Sequence, residues 1–359
     1  MPTPDEALVQ LLHLREHPVP RFGRRQWDRV VSLAVQEQVC PLVWARVRTS
    51  DAGVPSSTCT MLERLAGRSA DRAAAAYEQA ARTLTSLRSA GVPAALLKGA
   101  ALARFTYHHD ALRPFHDLDV LISEHDRAAA ESVLSADGYV TARAPSARLS
   151  DGGARVYWDP YRRRLPVDLH WRLDSAPVLF GLDSGRMLAR ARSVAVDDAA
   201  VAVLSPADLV VALAVHFVKH LWWGQPRLRY LRDLAEVVER HAVVWDDVID
   251  TVRTAPLSRS PIRLTLVAAS NLLGARVPSG AMSQLAPCRG RFIDRRLSLL
   301  MSRRPLCRYA WPLKPFVQVA AMRWLDRDQW EVYPRLAAWV MASRWRRVTD
   351  PWAGRAHRR

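Results

Sequence analysis

The spacing of apolar residues changes twice along this chain, and the changes divide it. Over residues 1–90, ALVQLLHL and WDRVVSLAVQ carry apolar side chains at helical spacing. DRAAAAYEQAARTLTSLRSA is a long run of strong helix formers closed by Gly91. From there the pattern shortens. VPAALL is a brief apolar run, followed by a Lys98–Gly99 turn and a helical AALARFTY. The polar HHDALRP then leads into LDVLI, which reads as a strand. SEHDRAAAESVLSADG predicts a helix with Ser123 at its N-cap and Gly138 as its stop. ARVYWD and LPVDLHW are further strand candidates, separated by the basic turn YRRR. From Ser205 onward, PADLVVALAVHFVKHL and LRYLRDLAEVVERH return to helical periodicity.

This alternation predicts an α/β chain of the α+β kind, with a small mixed sheet between helical flanks. We place an N-terminal helical region at 1–90, the α/β core at 91–198 and a C-terminal helical domain at 199–359. SDAGVPSST (50–58) is the expected loop of the first part, and there is no internal repeat or low-complexity tract. No apolar run reaches the roughly 18–20 residues of a membrane-crossing helix. The N-terminus lacks a basic segment followed by an apolar one, and the four cysteines (Cys40, Cys59, Cys288, Cys307) form no CxxC pair. A cytoplasmic protein is expected.

Charge sharpens this reading only once it is located. The formal net charge is +17, yet residues 91–175 hold eleven acidic and eleven basic side chains. Residues 302–359 hold thirteen basic and four acidic ones, with six of the thirteen tryptophans. Basic residues interleaved with aromatics suit a phosphate backbone or an anionic surface, but also an arginine-rich helical packing. Lysine is scarce, with Lys98, Lys219 and Lys314 against 49 arginines. A lysine kept in such a chain points to a place where a guanidinium does not fit.

The chemistry gathers in LRPFHDLDVLI and LPVDLHWRL. On a strand, side chains alternate between faces. Leu118, Val120 and Ile122 then share one face, and Asp117 and Asp119 the other. Likewise Val167, Leu169 and Trp171 oppose Asp168 and His170. Two like charges on one strand face repel unless a cation lies between them. A neighbouring strand that brings Asp168 to Asp117 and Asp119 makes an oxygen-rich site suited to Mg²⁺. Asp168 would lie nearest an acceptor group, as a metal ligand or base.

At this point the residues resemble a family. AALLKGAALARFTYHHDALRPFHDLDVLI, a helix, and then VDLHWRL are similar to the uncharacterised nucleotidyltransferases of the DNA polymerase β-like superfamily. The likeness covers about residues 90–175, and the helices over 208–240 extend it. It implies a polymerase-β-like nucleotidyltransferase core, Mg²⁺ and a nucleoside triphosphate co-substrate, with ATP as the first candidate. It also implies transfer of a nucleoside monophosphate to a hydroxyl or similar acceptor, with release of pyrophosphate. Asp117, Asp119 and Asp168 would hold the metal, and Lys98 and Gly99 the phosphates, with Arg113 reaching toward them from its loop. The superfamily turn is typically Gly-Ser, whereas here it is Lys98–Gly99–Ala100. The missing hydroxyl would have to be replaced by the lysine ammonium and backbone N–H groups.

Each residue has a plainer reading. Arg113 also suits a pair with Asp110, and Asp233 a surface bridge to Arg229 or Arg232. His170 suits a hydrogen bond beside Asp168. His216 and His220 share a helix face without the glutamate of a zinc-protease HExxH, which favours packing. Tyr107, Trp158 and Trp171 fit a core better than a base-stacking platform. No GxxxxGK[ST] or GxGxxG occurs, so P-loop and Rossmann readings lack support. The neutral centre favours a small-molecule, peptide or protein acceptor over a long nucleic acid. The competing expectation is a catalytically silent fold that binds RNA or a protein through its basic C-terminus. Phosphoryl transfer at the same metal site is a third.

Overall fold

The computed structural model describes residues 1–141, 153–173, 181–196, 199–222, 226–255 and 258–286. The basic, tryptophan-rich stretch 302–359, and with it the RNA-binding expectation, lies outside the described residues. Four helices open the chain: α1 (Pro4–Leu12), α2 (Arg24–Glu37), α3 (Cys40–Val47) and the long α4 (Ser56–Ser89). Thr3 and Glu6 close a reciprocal cap at the start of α1, each side chain satisfying a backbone N–H that the helix leaves open. Gly91, at φ +73°, turns the chain out of α4 in the left-handed region that glycine enters at least cost.

The central sheet follows, with β1 (Ala94–Leu96), α5 (Gly99–Phe105), β2 (Leu118–Ile122), α6 (Arg127–Ala136), β3 (Val140–Thr141), β4 (Ala154–Trp158) and β5 (Val167–His170). After α7 (Ser184–Ala189), β6 (Arg192–Val196) and β7 (Ala199–Val203) form a hairpin. The seven strands lie in the order β3-β4-β5-β2-β1-β7-β6. β2 runs parallel to β5 and antiparallel to β1, and β1 runs parallel to β7, so the sheet is mixed as expected. The sheet continues to Val203, past the boundary drawn at 198, because β7 pairs with β1 through Leu96 and Val203. Ser123 caps a short 3-10 turn (Glu124–Asp126), and α6 starts after it.

The last described helices are α8 (Pro206–Trp222), α9 (Leu228–Arg240), α10 (Trp245–Thr254), α11 (Arg259–Leu273) and α12 (Ser279–Gln284). Among the described residues no helix is long and apolar enough to cross a membrane.

The strand alternation sorts the core into two clusters. Leu118, Val120, Ile122, Val167, Leu169 and Trp171 face the C-terminal half of α4 together with α5 and α6. Leu121, Ala95 and Leu97 face the other way, into a core shared by α1–α3 and α8–α11. The two ends of the described chain therefore build one helical body. The N–H of Leu14 donates to the carbonyl of Leu273 at 2.9 Å, and that of Leu228 donates to Glu37 Oε2 at 2.5 Å. This body covers the sheet face to which Asp119, Asp168 and His170 belong.

Candidate active site

The parallel pairing of β2 with β5 sets Asp119 opposite Asp168 in register. β1 is antiparallel to β2, so its outgoing end arrives where β2 begins. The N–H of Leu97 donates to the carbonyl of Asp119 at 3.0 Å, and Lys98 is the next residue. Three residues distant in number thus meet at one end of the central strands for reasons of strand direction alone. Lys98 Nζ donates to Asp119 Oδ1 at 2.8 Å. His170 Nε2 lies 3.1 Å from that same oxygen and 3.1 Å from Asp168 Oδ2. The ligand atoms of Asp119, Asp168 and His170 all lie within 4.8 Å of one another, close enough for one metal ion to be held by all three. Of these side chains Asp168 is the most open to solvent, at 24% against 10% for Asp119 and 6% for His170.

The electrostatics divide the three aspartates. Burial alone would raise the carboxyl of Asp119, but Lys98 and His170 more than offset it and hold it far below the usual range. Asp168 is likewise held low against its burial, by His170 first. Asp117 goes the other way. Burial, and then the charges of Asp119 and Asp168, push it up to about 6. Lys98 and His170 are both shifted upward, their burial overcome by the carboxylates. The cation that the strand alternation called for is thus present as an ammonium and an imidazole. The negative charge they leave unbalanced makes ionisation of Asp117 costly, which with its burial is why its carboxyl is raised. The donor set fits a divalent cation: carboxylate oxygens on one face, and an imidazole Nε2 that would have to give up its proton before it could join them.

The other expected positions divide. Gly99 begins α5 directly after Lys98, and its need for glycine comes from packing. A Cβ at this position would stand 2.8 Å from the Cβ of Phe115. Arg113 does not offer its guanidinium to phosphates. Its Nε donates to Asp233 Oδ1 and Oδ2 at 2.9 and 3.1 Å, its Nη2 to Oδ2 at 2.7 Å, and its Nη1 to the Pro114 carbonyl at 2.7 Å. The cause is the burial of Asp233 on α9, 0% exposed, which leaves that carboxylate nothing but a protein cation. Asp110, the alternative partner, pairs with Arg104 at 2.9 Å. Asp233 is no surface bridge; it also accepts from the Tyr107 hydroxyl at 3.0 Å.

Tyr107 and Trp171 are core residues, with the Arg127 guanidinium 4.0 Å above the Trp171 ring. His216 packs edge-on against His220 and Tyr230, and His220 lies tilted over Tyr230, with ring centres 4.5–4.7 Å apart. His170 is the residue whose part the sequence underrates. Its signal was the two-residue spacing from Asp168, which puts both on one strand face.

A mixed sheet flanked by helices, with aspartates in register on adjoining parallel strands and a lysine at the turn before them, defines an acidic centre of the nucleotidyltransferase kind. The chain belongs to the family described as uncharacterised nucleotidyltransferase, which matches residues 23–274. No curated protein matches it. Solved structures similar to it include the antibiotic-resistance factor ANT(2'')-Ia, at 13% identity and a TM-score of 0.29, over 61% of this chain and 91% of that one. Another is an antigenic nucleotidyltransferase-like protein from Paracoccidioides brasiliensis, at 13% identity and 0.31, over 54% and 94%.

Proposed function

We propose that the protein transfers a nucleoside monophosphate from a nucleoside triphosphate, with ATP as the first candidate, to a hydroxyl or similar acceptor, releasing pyrophosphate. The observation that carries this reading is the convergence of Asp119, Asp168 and His170 with Lys98 at one end of the central strands. Asp117, Asp119 and Asp168 would hold Mg²⁺, which when bound supplies neutralising charge for the triphosphate and the leaving pyrophosphate. Lys98 balances Asp119 from the buried side and keeps that carboxylate ionised and oriented. His170, between Asp119 and Asp168, fixes the rotamers of both. Asp168, the most open of the group, accepts a hydrogen bond from the acceptor hydroxyl and aligns it for attack. The acceptor we favour is a small molecule, peptide or protein, bound between this end of the central strands and the helical body.

Incubation with ATP labelled at the α- or the γ-phosphate tests the reaction directly. Transfer of the α label to an acceptor, with release of unlabelled product from the α-labelled donor limited to pyrophosphate, supports nucleotidyl transfer. Transfer of the γ label would replace it by phosphoryl transfer. Transfer of neither label, to any acceptor offered, with no Mg²⁺-dependent nucleotide binding, would favour a silent fold.

A further inference from the structure

Resting on that nucleotidyl-transfer reading, we propose that Arg229, on the first turn of α9, recognises the phosphate tail of the nucleoside triphosphate donor. A buried guanidinium is ordinarily matched by a carboxylate, because its desolvation is costly otherwise. Arg229 lacks one among the described residues. Its Nε is buried with no hydrogen-bond partner, its Nη1 reaches the Pro114 carbonyl at a long 3.5 Å, and the Tyr230 ring lies 5.2 Å away. The carboxylate one helical turn on, Asp233, is saturated by Arg113 and Tyr107. Arg229 is therefore left as a cation with donors to spare.

Its position gives those donors a target. The Pro114 carbonyl that Arg229 touches lies three residues before Asp117, and the charge of Arg229 acts on Asp117. The same charge acts together with that of Lys98 on His216 and His220. Arg229 thus stands on the Asp117 side of the acidic centre, outside its ion pairs. A planar fork of N–H groups that can grip two oxygens at once suits a phosphate chain, while a metal on the aspartates would hold the chain's other side. Burial and the neighbouring Arg113 lower its pKa to about 10, the electrostatic mark of a cation short of an anion. The task expected of Arg113 passes in this way to a residue on the C-terminal helices. Arg113, by engaging Asp233, leaves Arg229 available for it.

The test is calorimetric titration of the full chain with Mg²⁺ and either α,β-methylene-ATP, which carries a phosphate tail, or AMP, which does not. Arg229→Ala should weaken the triphosphate analogue about 10- to 100-fold, the range set by losing a charge-assisted hydrogen bond, and leave AMP affinity as it was. Arg229→Lys should fall between, because it keeps the charge and loses the fork. Thermal unfolding of each variant, with Arg229→Gln as a second neutral replacement, separates recognition from folding. A structural role would lower both affinities and the unfolding midpoint together, and that result overturns the inference. Unchanged affinity of Arg229→Ala for the triphosphate analogue overturns it too, while nucleotide binding by the wild type leaves the wider reading standing. A wild-type chain that binds neither nucleotide overturns both.

Discussion

Replacing Asp233 by Asn keeps the shape of the side chain and removes its charge, at the point where α9 is tied to the segment leading into β2. In the native chain the carboxylate accepts three hydrogen bonds from Arg113 and one from Tyr107, with Arg113 5% and Asp233 0% exposed. An asparagine offers one carbonyl oxygen where there were two carboxylate oxygens, and it points an NH₂ at a guanidinium that can only donate. Breaking a buried ion pair from one side costs about 3–5 kcal/mol, most of it from the stranded partner and not from the lost attraction. We therefore expect Asp233→Asn to lose about 3–5 kcal/mol in urea unfolding followed by circular dichroism. The paired change Arg113→Met with Asp233→Leu removes both charges; it strands the Tyr107 hydroxyl, at about 1–3 kcal/mol, and leaves the Pro114 carbonyl with only the long contact to Arg229. The double variant should therefore be more stable than the single one. Arg113 ends four residues before Asp117, so the single change should also weaken divalent-cation binding, and the double change should restore part of it. A loss under about 1 kcal/mol for Asp233→Asn, or a double variant less stable than the single, would refute the reasoning.

Other perturbations probe separate links. Gly99→Ala should destabilise the protein by about 1–3 kcal/mol despite the higher helix propensity of alanine, since the new Cβ meets that of Phe115. Trimming Phe115 to Ala should not rescue it, because the clash is with the Cβ that alanine retains; rescue in thermal unfolding would disprove the contact. His220 is held down to about 2 by burial and nearby cations, against an ordinary value of about 6.5 in the unfolded chain. Only the unfolded state then gains its proton as pH falls below 6.5, so this group withdraws stability on acidification and contributes fully above it. From pH 7 to 5.5 the withdrawal amounts to about 1 kcal/mol. Asp117, raised to about 6, works in the opposite sense below that pH, because there the folded state holds the extra proton. The His220→Phe variant isolates the histidine. Its unfolding free energy should fall by about 1 kcal/mol less than the wild type's over that interval, and identical slopes would count against a buried neutral ring.

What could be read from the sequence was the part written in short-range alternation. Period two in LDVLI and VDLHW separates the aspartates from Leu118, Val120, Ile122, Val167, Leu169 and Trp171, and these six share one core cluster. The helices over 206–222 and 228–240 follow from apolar spacing in the same way. The β6–β7 hairpin is not legible because RSVAV and AAVAV offer only valine and alanine as apolar residues, with no large one to mark a face. The Arg113–Asp233 pair is not legible because the partners are 120 residues apart, and nothing local distinguishes a buried Asp233 from a surface one. The shared core of the terminal helical regions is invisible for the same reason: their apolar stripes announce burial but not the surface they meet. Lys98 stands out in the sequence by its rarity among arginines, and its ammonium lies against Asp119 in a buried slot that suits a compact charge.

Titration with Mn²⁺ followed by electron paramagnetic resonance, with Mg²⁺ as competitor and a non-hydrolysable ATP analogue present, bears most directly on the acidic centre. The wild-type protein should remove Mn²⁺ from the free signal and release it to Mg²⁺, while Asp119→Asn and Asp168→Asn, still folded, should not bind it. Equal Mn²⁺ uptake by the wild type and both variants, or none by the wild type with the analogue present, would contradict the account.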